Sequence, residues 1–214
     1  MQTNKLPEET SLRFSVLHRI THFVIMIGII VLAVTGMSMA FSSNFVAKWF
    51  IWLMGGHANA ASIHRLSAII TYLCVVTQVV WFIYFKMVLK GRFTGPHSIW
   101  PGIQDFRDFS ANMRYFMGRK DTPPQFNRFT YMEKIDYWAL FIGMNTMGIT
   151  GLFLWYPESL TQFFPGYFIN IARILHLYEA ILAVIVKLVI HVGMAHLRPS
   201  VFPGDMSIFT GKSQ

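Results

Sequence analysis

The sequence predicts an all-α membrane protein with four transmembrane helices. Of its 214 residues, 54% are apolar and only 13% are charged, which is too little polar surface to cover a soluble globule of this size. Crossing a hydrocarbon core takes roughly 20 apolar residues in an α-helix. Four segments are long enough, at about 17–40, 63–89, 132–156 and 173–197. We expect them to form one four-transmembrane-helix bundle, with residues 1–214 making a single domain.

The stretch at about 90–130 is predicted to be a polar loop, because glycines and prolines punctuate it, with one short amphipathic helix around 103–117. Lysines and arginines concentrate in this loop and at both termini, whereas the opposite side carries only Lys48, Arg65 and Arg173. Cytoplasmic segments are enriched in such residues. The loop and both termini are therefore predicted to be cytoplasmic, in a multi-pass protein of the inner membrane. No small-residue cleavage site follows the first charged residues, so we expect the first span to be retained.

The composition also limits the function. The formal net charge is +8, but the positive residues lie between the apolar spans and form no nucleic-acid-binding motif. We therefore expect membrane lipid as a partner and no nucleic acid. The only cysteine is Cys74, within a span, which excludes an intramolecular disulfide, a CxxCH haem site and a multi-cysteine iron–sulfur cluster. The sequence has no Rossmann or flavin motif. We therefore assign no catalytic residue, and a redox cofactor would need other ligands.

Four of the eight histidines fall within or just inside the spans, where a polar side chain is costly and usually functional. His22 and His191 lie near the inner ends of spans one and four, and His64 and His176 near the outer ends of spans two and four. Depth therefore pairs His22 with His191 and His64 with His176. At a rise of about 1.5 Å per residue, His176 and His191 are about 22 Å apart and within about 60° of one helix face.

Two imidazoles at one depth on neighbouring helices suit axial ligation of a haem iron. We predict two haems b, with His22 and His191 as metal ligands of the inner haem and His64 and His176 of the outer haem. The alternative is a haem-free membrane anchor or small transporter whose histidines hydrogen-bond or relay protons. Zinc is disfavoured because the sequence offers no compact cluster of three or four ligands.

Other residues accompany these histidines. Arg19, Arg65 and Arg173 each lie near one of them at a membrane face, where a guanidinium could pair with haem propionates or act as an ordinary helix-end cation. His18 is an interfacial residue, a propionate partner or a rival ligand. Glycines such as Gly36 allow close helix packing or leave room for a flat macrocycle.

Short motifs from the four spans and the tail together resemble those of a known family. They are Arg19-Ile20-Thr21-His22 followed by Thr35-Gly36, Ile63-His64, Thr150-Gly151-Leu152-Phe153-Leu154-Trp155-Tyr156-Pro157, Ile174-Leu175-His176 with His191, and His196-Leu197-Arg198-Pro199. The chain resembles the membrane cytochrome b (gamma) subunits of respiratory formate dehydrogenases, thiosulfate reductases and nickel hydrogenases, in a version like those found with multihaem cytochromes c. Val34-Thr35-Gly36 is also weakly repeated by Ile149-Thr150-Gly151.

The resemblance implies an electron-transport subunit of a larger oxidoreductase complex in a respiratory chain. The outer haem would accept electrons from an outward-facing iron–sulfur protein or multihaem cytochrome c, and the inner haem would pass them to a quinone near the cytoplasmic face. The sequence departs from the formate-dehydrogenase members twice. Fourteen residues rather than thirteen separate His176 from His191, and Thr130 stands in place of a quinone-contacting asparagine.

A quinone reduced near the cytoplasmic face needs groups that form hydrogen bonds and deliver protons. Between the end of span two and the start of span three, the candidates are Thr130, Glu133, Asp136 and His97. Glu133 and Asp136 share one face of a helix start, where acids are also expected to complement the helix dipole. The alternative location is near Arg13 and His18.

Overall fold

The computed structural model describes residues 14–90, 95, 98–126, 129–193, 204 and 206–211, which form eight α-helices and contain no strand. The helices are α1 (Val16–Ala40), α2 (Phe45–Leu53), α3 (His57–Met87), α4 (Ile103–Phe116), α5 (Tyr131–Trp155), α6 (Pro157–Leu160), α7 (Tyr167–Ile185) and α8 (Ser207–Thr210). A π-helix, Val186–His191, continues α7.

Four of these helices are long and apolar enough to cross a membrane. They are α1, α3, α5 and α7 together with its π-helical continuation, and they correspond to the four predicted spans. The all-α class and the number of spans are therefore confirmed for the described residues. Helix α4 also lies where the short amphipathic helix was predicted.

Two spans begin earlier than predicted. Helix α3 starts at His57 rather than 63, because the alanines after His57 favour helix and extend it backwards to the glycine turn at 55–56. His64 therefore lies two turns inside the helix instead of opening it. Helix α7 starts at Tyr167 rather than 173, and the predicted end at 197 lies outside the described residues.

Helix α2 was not predicted, although its start carries a readable signal. The Asn44 side chain accepts a hydrogen bond of 2.9 Å from the Val46 amide, which is the standard N-cap interaction. The exposed side chains of Trp49 and Trp52 give this helix the aromatic surface expected at a membrane interface.

The chain divides into two compact units, one comprising the residues up to Cys74 and those from Leu177 onward, the other Val75–His176. In the first unit, α1 contacts α3 at two levels that are seven residues apart on each helix. Gly28 lies against Thr71, which is fully buried, and Thr35 with Gly36 lies against His64. Small residues at both levels allow the backbones to approach closely.

In the second unit, polar contacts fasten the loop helix α4 to the start of α5. The Lys134 ammonium pairs with the Asp105 carboxylate at 2.8 Å, and both side chains are largely buried. The Asn112 side-chain amide donates to the Tyr131 hydroxyl at 2.9 Å. These contacts fix α4 beside the first turns of α5.

Candidate functional site: the transmembrane histidines

His22 and His191 come together in the first unit. Their ring centroids are 6.3 Å apart and their planes are inclined by 35°. His22 projects from the second turn of α1, and His191 is the last residue of the π-helix that continues α7. Both side chains are half-buried. The structure thus brings together the two histidines that depth pairs near the inner face.

His64 is held by a threonine and a glycine of α1. The Thr35 hydroxyl oxygen lies 2.8 Å from Nδ1 of His64, and Thr35 is only 2% exposed. A Cβ atom on Gly36 would stand 3.1 Å from Cε1 of His64, so the glycine lets the ring lie directly against the helix backbone. Gly36 therefore allows close packing of His64 on α1, and its second possible role, leaving room for a flat macrocycle, stays a prediction.

His176 is held in the same way in the second unit, by residues of α5. The Thr150 hydroxyl oxygen lies 2.9 Å from Nδ1 of His176, and Thr150 is only 6% exposed. A Cβ atom on Gly151 would stand 3.4 Å from Cε1 of the ring. The weak Thr-Gly repeat in the sequence therefore marks two equivalent histidine supports, a meaning that the sequence alone did not reveal.

The three predicted arginines have different surroundings. Arg19 donates from Nε to the Ile208 carbonyl at 3.2 Å and from a terminal nitrogen to the Phe209 carbonyl, which ties α8 to the start of α1. This contact joins residues 189 positions apart, and no local pattern could have indicated it. Arg65 and Arg173 have exposed side chains.

Thr130 and Glu133 form a capping box at the start of α5. The Thr130 hydroxyl accepts from the Glu133 amide at 3.2 Å, and the Glu133 carboxylate accepts from the Thr130 amide at 2.8 Å. A threonine three residues before a glutamate is the sequence signature of this motif. Both residues therefore have a structural role in the helix start, whatever further role they serve.

The remaining quinone candidates divide between described and undescribed residues. Asp136 is half-buried one turn into α5, whereas His97 and Arg13 lie outside the described residues. The ring of His18 stacks on that of Phe14, with centroids 5.4 Å apart and planes inclined by 20°. The structure gives His18 an aromatic partner and shows His22, not His18, beside His191.

Comparison with known proteins adds a family. The model of the prokaryotic cytochrome b561 family matches residues 13–203, a range that includes all four spans and all four histidines. The chain is also similar to the formate dehydrogenase cytochrome b556(fdo) subunit of Escherichia coli K12, with 22% identity over 187 residues, covering 86% of this chain and 78% of the relative. The corresponding subunits of the O6:H1 and O157:H7 strains match with the same identity and coverage.

Proposed function

The chain belongs to the prokaryotic cytochrome b561 family, and we propose that it is a dihaem electron-transfer subunit. Family membership and four candidate spans make it an integral membrane cytochrome b, which carries haem b. The resemblance read from the sequence is confirmed at this level. The proposal goes further and gives the protein two haems, which would connect an outward-facing redox partner to the membrane quinone pool.

The distance between the rings of His22 and His191 is the observation on which the proposal rests. Bonds between a metal and an imidazole nitrogen are about 2 Å long, as at zinc sites. An imidazole nitrogen lies a little over 1 Å from its ring centre, so two rings bound to opposite sides of one iron would have centroids roughly 6 Å apart. The separation of 6.3 Å between His22 and His191 fits that arrangement. We propose that they hold the inner haem.

We propose His64 and His176 as the ligands of the outer haem, because the sequence places them at the same depth and the same threonine contact supports each ring. Arg65 and Arg173 are exposed residues, each close in sequence to one of these ligands, and their side chains would pair with the haem propionates. Bound haem supplies an iron that takes up and releases one electron. The threonine contacts hold the two rings in place.

The relative's name suggests the setting in which the chain works. The Escherichia coli protein is named as a subunit of formate dehydrogenase. We propose that this chain is likewise the membrane subunit of an oxidoreductase complex. Its partner would be an iron–sulfur protein or a multihaem cytochrome c that docks on the outer face, because the outer haem lies at that side.

Quinone reduction or oxidation would then take place near the inner haem on the cytoplasmic side. Thr130 and Glu133 are proposed as members of this site, because the loop helix α4 is fastened beside the start of α5 and could enclose a quinone there. The Glu133 carboxylate lies in the first turn of α5, where it could exchange protons with the cytoplasm.

The haem content of the purified protein tests the proposal. A dithionite-reduced sample should show a b-type absorption spectrum, and a pyridine haemochrome assay should give about two haems per chain, one per histidine pair. Replacing His22 or His191 with alanine should remove one haem, since that iron loses an axial ligand. Replacing His64 or His176 should remove the other.

His18→Ala is the matched control, because it removes a neighbouring imidazole that lies on Phe14 rather than against His191. This variant should keep both haems. Loss of a haem in His18→Ala, with both retained in His22→Ala, would refute the inner ligand assignment. A haem-free wild-type protein would favour a membrane anchor or transporter with proton-relay histidines instead.

A further inference from the structure

The two Thr-Gly supports, Thr35-Gly36 and Thr150-Gly151, contact their histidines through the same atoms. In each unit a buried threonine hydroxyl contacts Nδ1 of a histidine, at 2.8 Å for Thr35 and His64 and at 2.9 Å for Thr150 and His176. In each unit the following glycine faces Cε1 of the same ring. The two contacts involve different helices, but both join a threonine Oγ1 to a histidine Nδ1.

The hydrogen on each threonine hydroxyl is already committed to its own helix. Thr35 Oγ1 lies 2.7 Å from the Val31 carbonyl oxygen, and Thr150 Oγ1 lies 2.7 Å from the Thr146 carbonyl oxygen. A carbonyl can only accept, and a hydroxyl has only one proton to donate. Each threonine oxygen must therefore act as the acceptor toward histidine, which requires a proton on Nδ1.

A second carbonyl lies beside each threonine hydroxyl. The Leu32 carbonyl is 3.2 Å from the Thr35 hydroxyl oxygen and the Met147 carbonyl is 3.3 Å from that of Thr150, so each hydroxyl has two acceptors within its own helix. A neutral imidazole with a proton on Nδ1 carries its lone pair on Nε2, the nitrogen that can bind a metal. The support therefore selects the tautomer of the ring as well as its position.

We propose that Thr35 and Thr150 are positioning residues that fix His64 and His176 as Nδ1-protonated ligands and lower the midpoint potential of the outer haem. This inference rests on the proposed function. A hydrogen bond from the non-ligating nitrogen of a metal-bound histidine raises the basicity of the ligand. A more basic ligand donates more electron density to iron and stabilises the ferric form, so the threonines make the outer haem harder to reduce.

Redox titration of threonine variants tests the proposal. Valine keeps the branched shape of threonine but has no hydroxyl, so Thr35→Val and Thr150→Val should each raise the midpoint potential of the same haem. We expect about a tenfold change in the ferric-to-ferrous equilibrium, which is ~59 mV for a one-electron couple. The potential of the other haem should stay unchanged. Thr35→Ser retains the hydroxyl, so its outer-haem potential should equal that of the wild type.

Thr146→Val is the matched control, because Thr146 lies one turn before Thr150 and donates only to the Ile142 carbonyl, at 3.1 Å. It should shift neither potential. Unchanged potentials in both Thr35→Val and Thr150→Val, with both haems bound, would overturn the inference. If valine at position 35 prevents haem binding, the serine variant decides: retention of the outer haem supports the hydroxyl bond, and loss of that haem as in valine overturns it.

A second measurement separates this inference from the proposed function. Nitrogen NMR of histidine-labelled protein distinguishes the two imidazole tautomers without any haem. His64 and His176 should both carry the proton on Nδ1, and Thr35→Val should abolish that preference at His64 alone. A wild-type protein without haem would refute the proposed function. Protonation at Nε2 in the wild type would refute the threonine assignment whether or not haem binds.

Discussion

At the scale of single residues, the glycine beside each threonine sets how closely a histidine ring approaches the helix. The clearances differ: a Cβ would lie 3.1 Å from the His64 ring at Gly36 but 3.4 Å from the His176 ring at Gly151. Non-bonded carbon atoms attract best at about 3.5–4.0 Å. An added methyl group is therefore too close at Gly36 and in ordinary contact at Gly151.

This difference gives a prediction for two alanine substitutions. Gly36→Ala should displace the His64 ring, at an overpacking cost of about 1–3 kcal/mol, and should reduce the content of one haem. Gly151→Ala should leave the haem content unchanged, because its contact is ordinary and alanine favours helix over glycine. The pyridine haemochrome assay of both purified variants measures the outcome. Equal haem loss in the two variants would show that the clearance at these glycines does not control ligand position.

At the scale of elements, the π-helix that ends at His191 affects how the spacing between His176 and His191 orients the second ring. The resemblance read from the sequence implies one residue more between His176 and His191 than in the formate-dehydrogenase subunits, and in a regular α-helix this residue would turn the ligand by about 100°. A π-helical turn closes each hydrogen bond one residue later than an α-helical turn. The Val186–His191 segment can therefore take up the extra residue and keep His191 on the face that meets His22.

The start of α5 gives a second prediction at this scale. Glutamine can replace glutamate in a capping box, so Glu133→Gln should preserve the helix start while removing an ionisable proton. We expect slower quinone turnover, by about tenfold or more if the carboxylate transfers protons, with both haems still bound and reducible. Turnover with a soluble quinone analogue measures this effect.

Glu158→Gln is the control for Glu133→Gln, because Glu158 also lies in a first helical turn, that of α6, and is exposed. The control should leave turnover unchanged. Wild-type turnover in Glu133→Gln would exclude Glu133 from proton transfer and would move the quinone site toward Arg13 and His18. A lower melting temperature in Glu133→Gln would instead indicate that the capping box had failed.

The elements also show what could be predicted from the sequence and what could not. Apolar length alone predicted the four spans, and depth alone paired His22 with His191. Short signals for α2 and for the Thr130 capping box were present, but they are weak beside the span pattern. The Arg19 contact with α8 and the two Thr–His contacts join distant positions, so they depend on tertiary packing that no local pattern encodes.

At the scale of the whole molecule, the proposed electron path depends on the orientation of the chain in the membrane. In the proposed path the outer haem would face the redox partner, and the inner haem would lie beside a quinone that exchanges protons with the cytoplasm. Four spans, an even number, are expected to leave both termini on one side of the membrane. The excess of lysine and arginine at these ends and in the 90–130 loop predicts that this side is cytoplasmic.

Reporter fusions test this orientation. A reporter active only in the cytoplasm should give signal when fused after Gly118, in the loop beyond α4, or at the C-terminus. It should be silent after Gly56, between α2 and α3, and after Gly166, before α7. A reporter active only outside the cytoplasm should give the opposite pattern at all four positions, which controls for poor expression of any single fusion. The reverse of both patterns would place His64 and His176 on the cytoplasmic side, so the quinone and the redox partner would have to exchange faces.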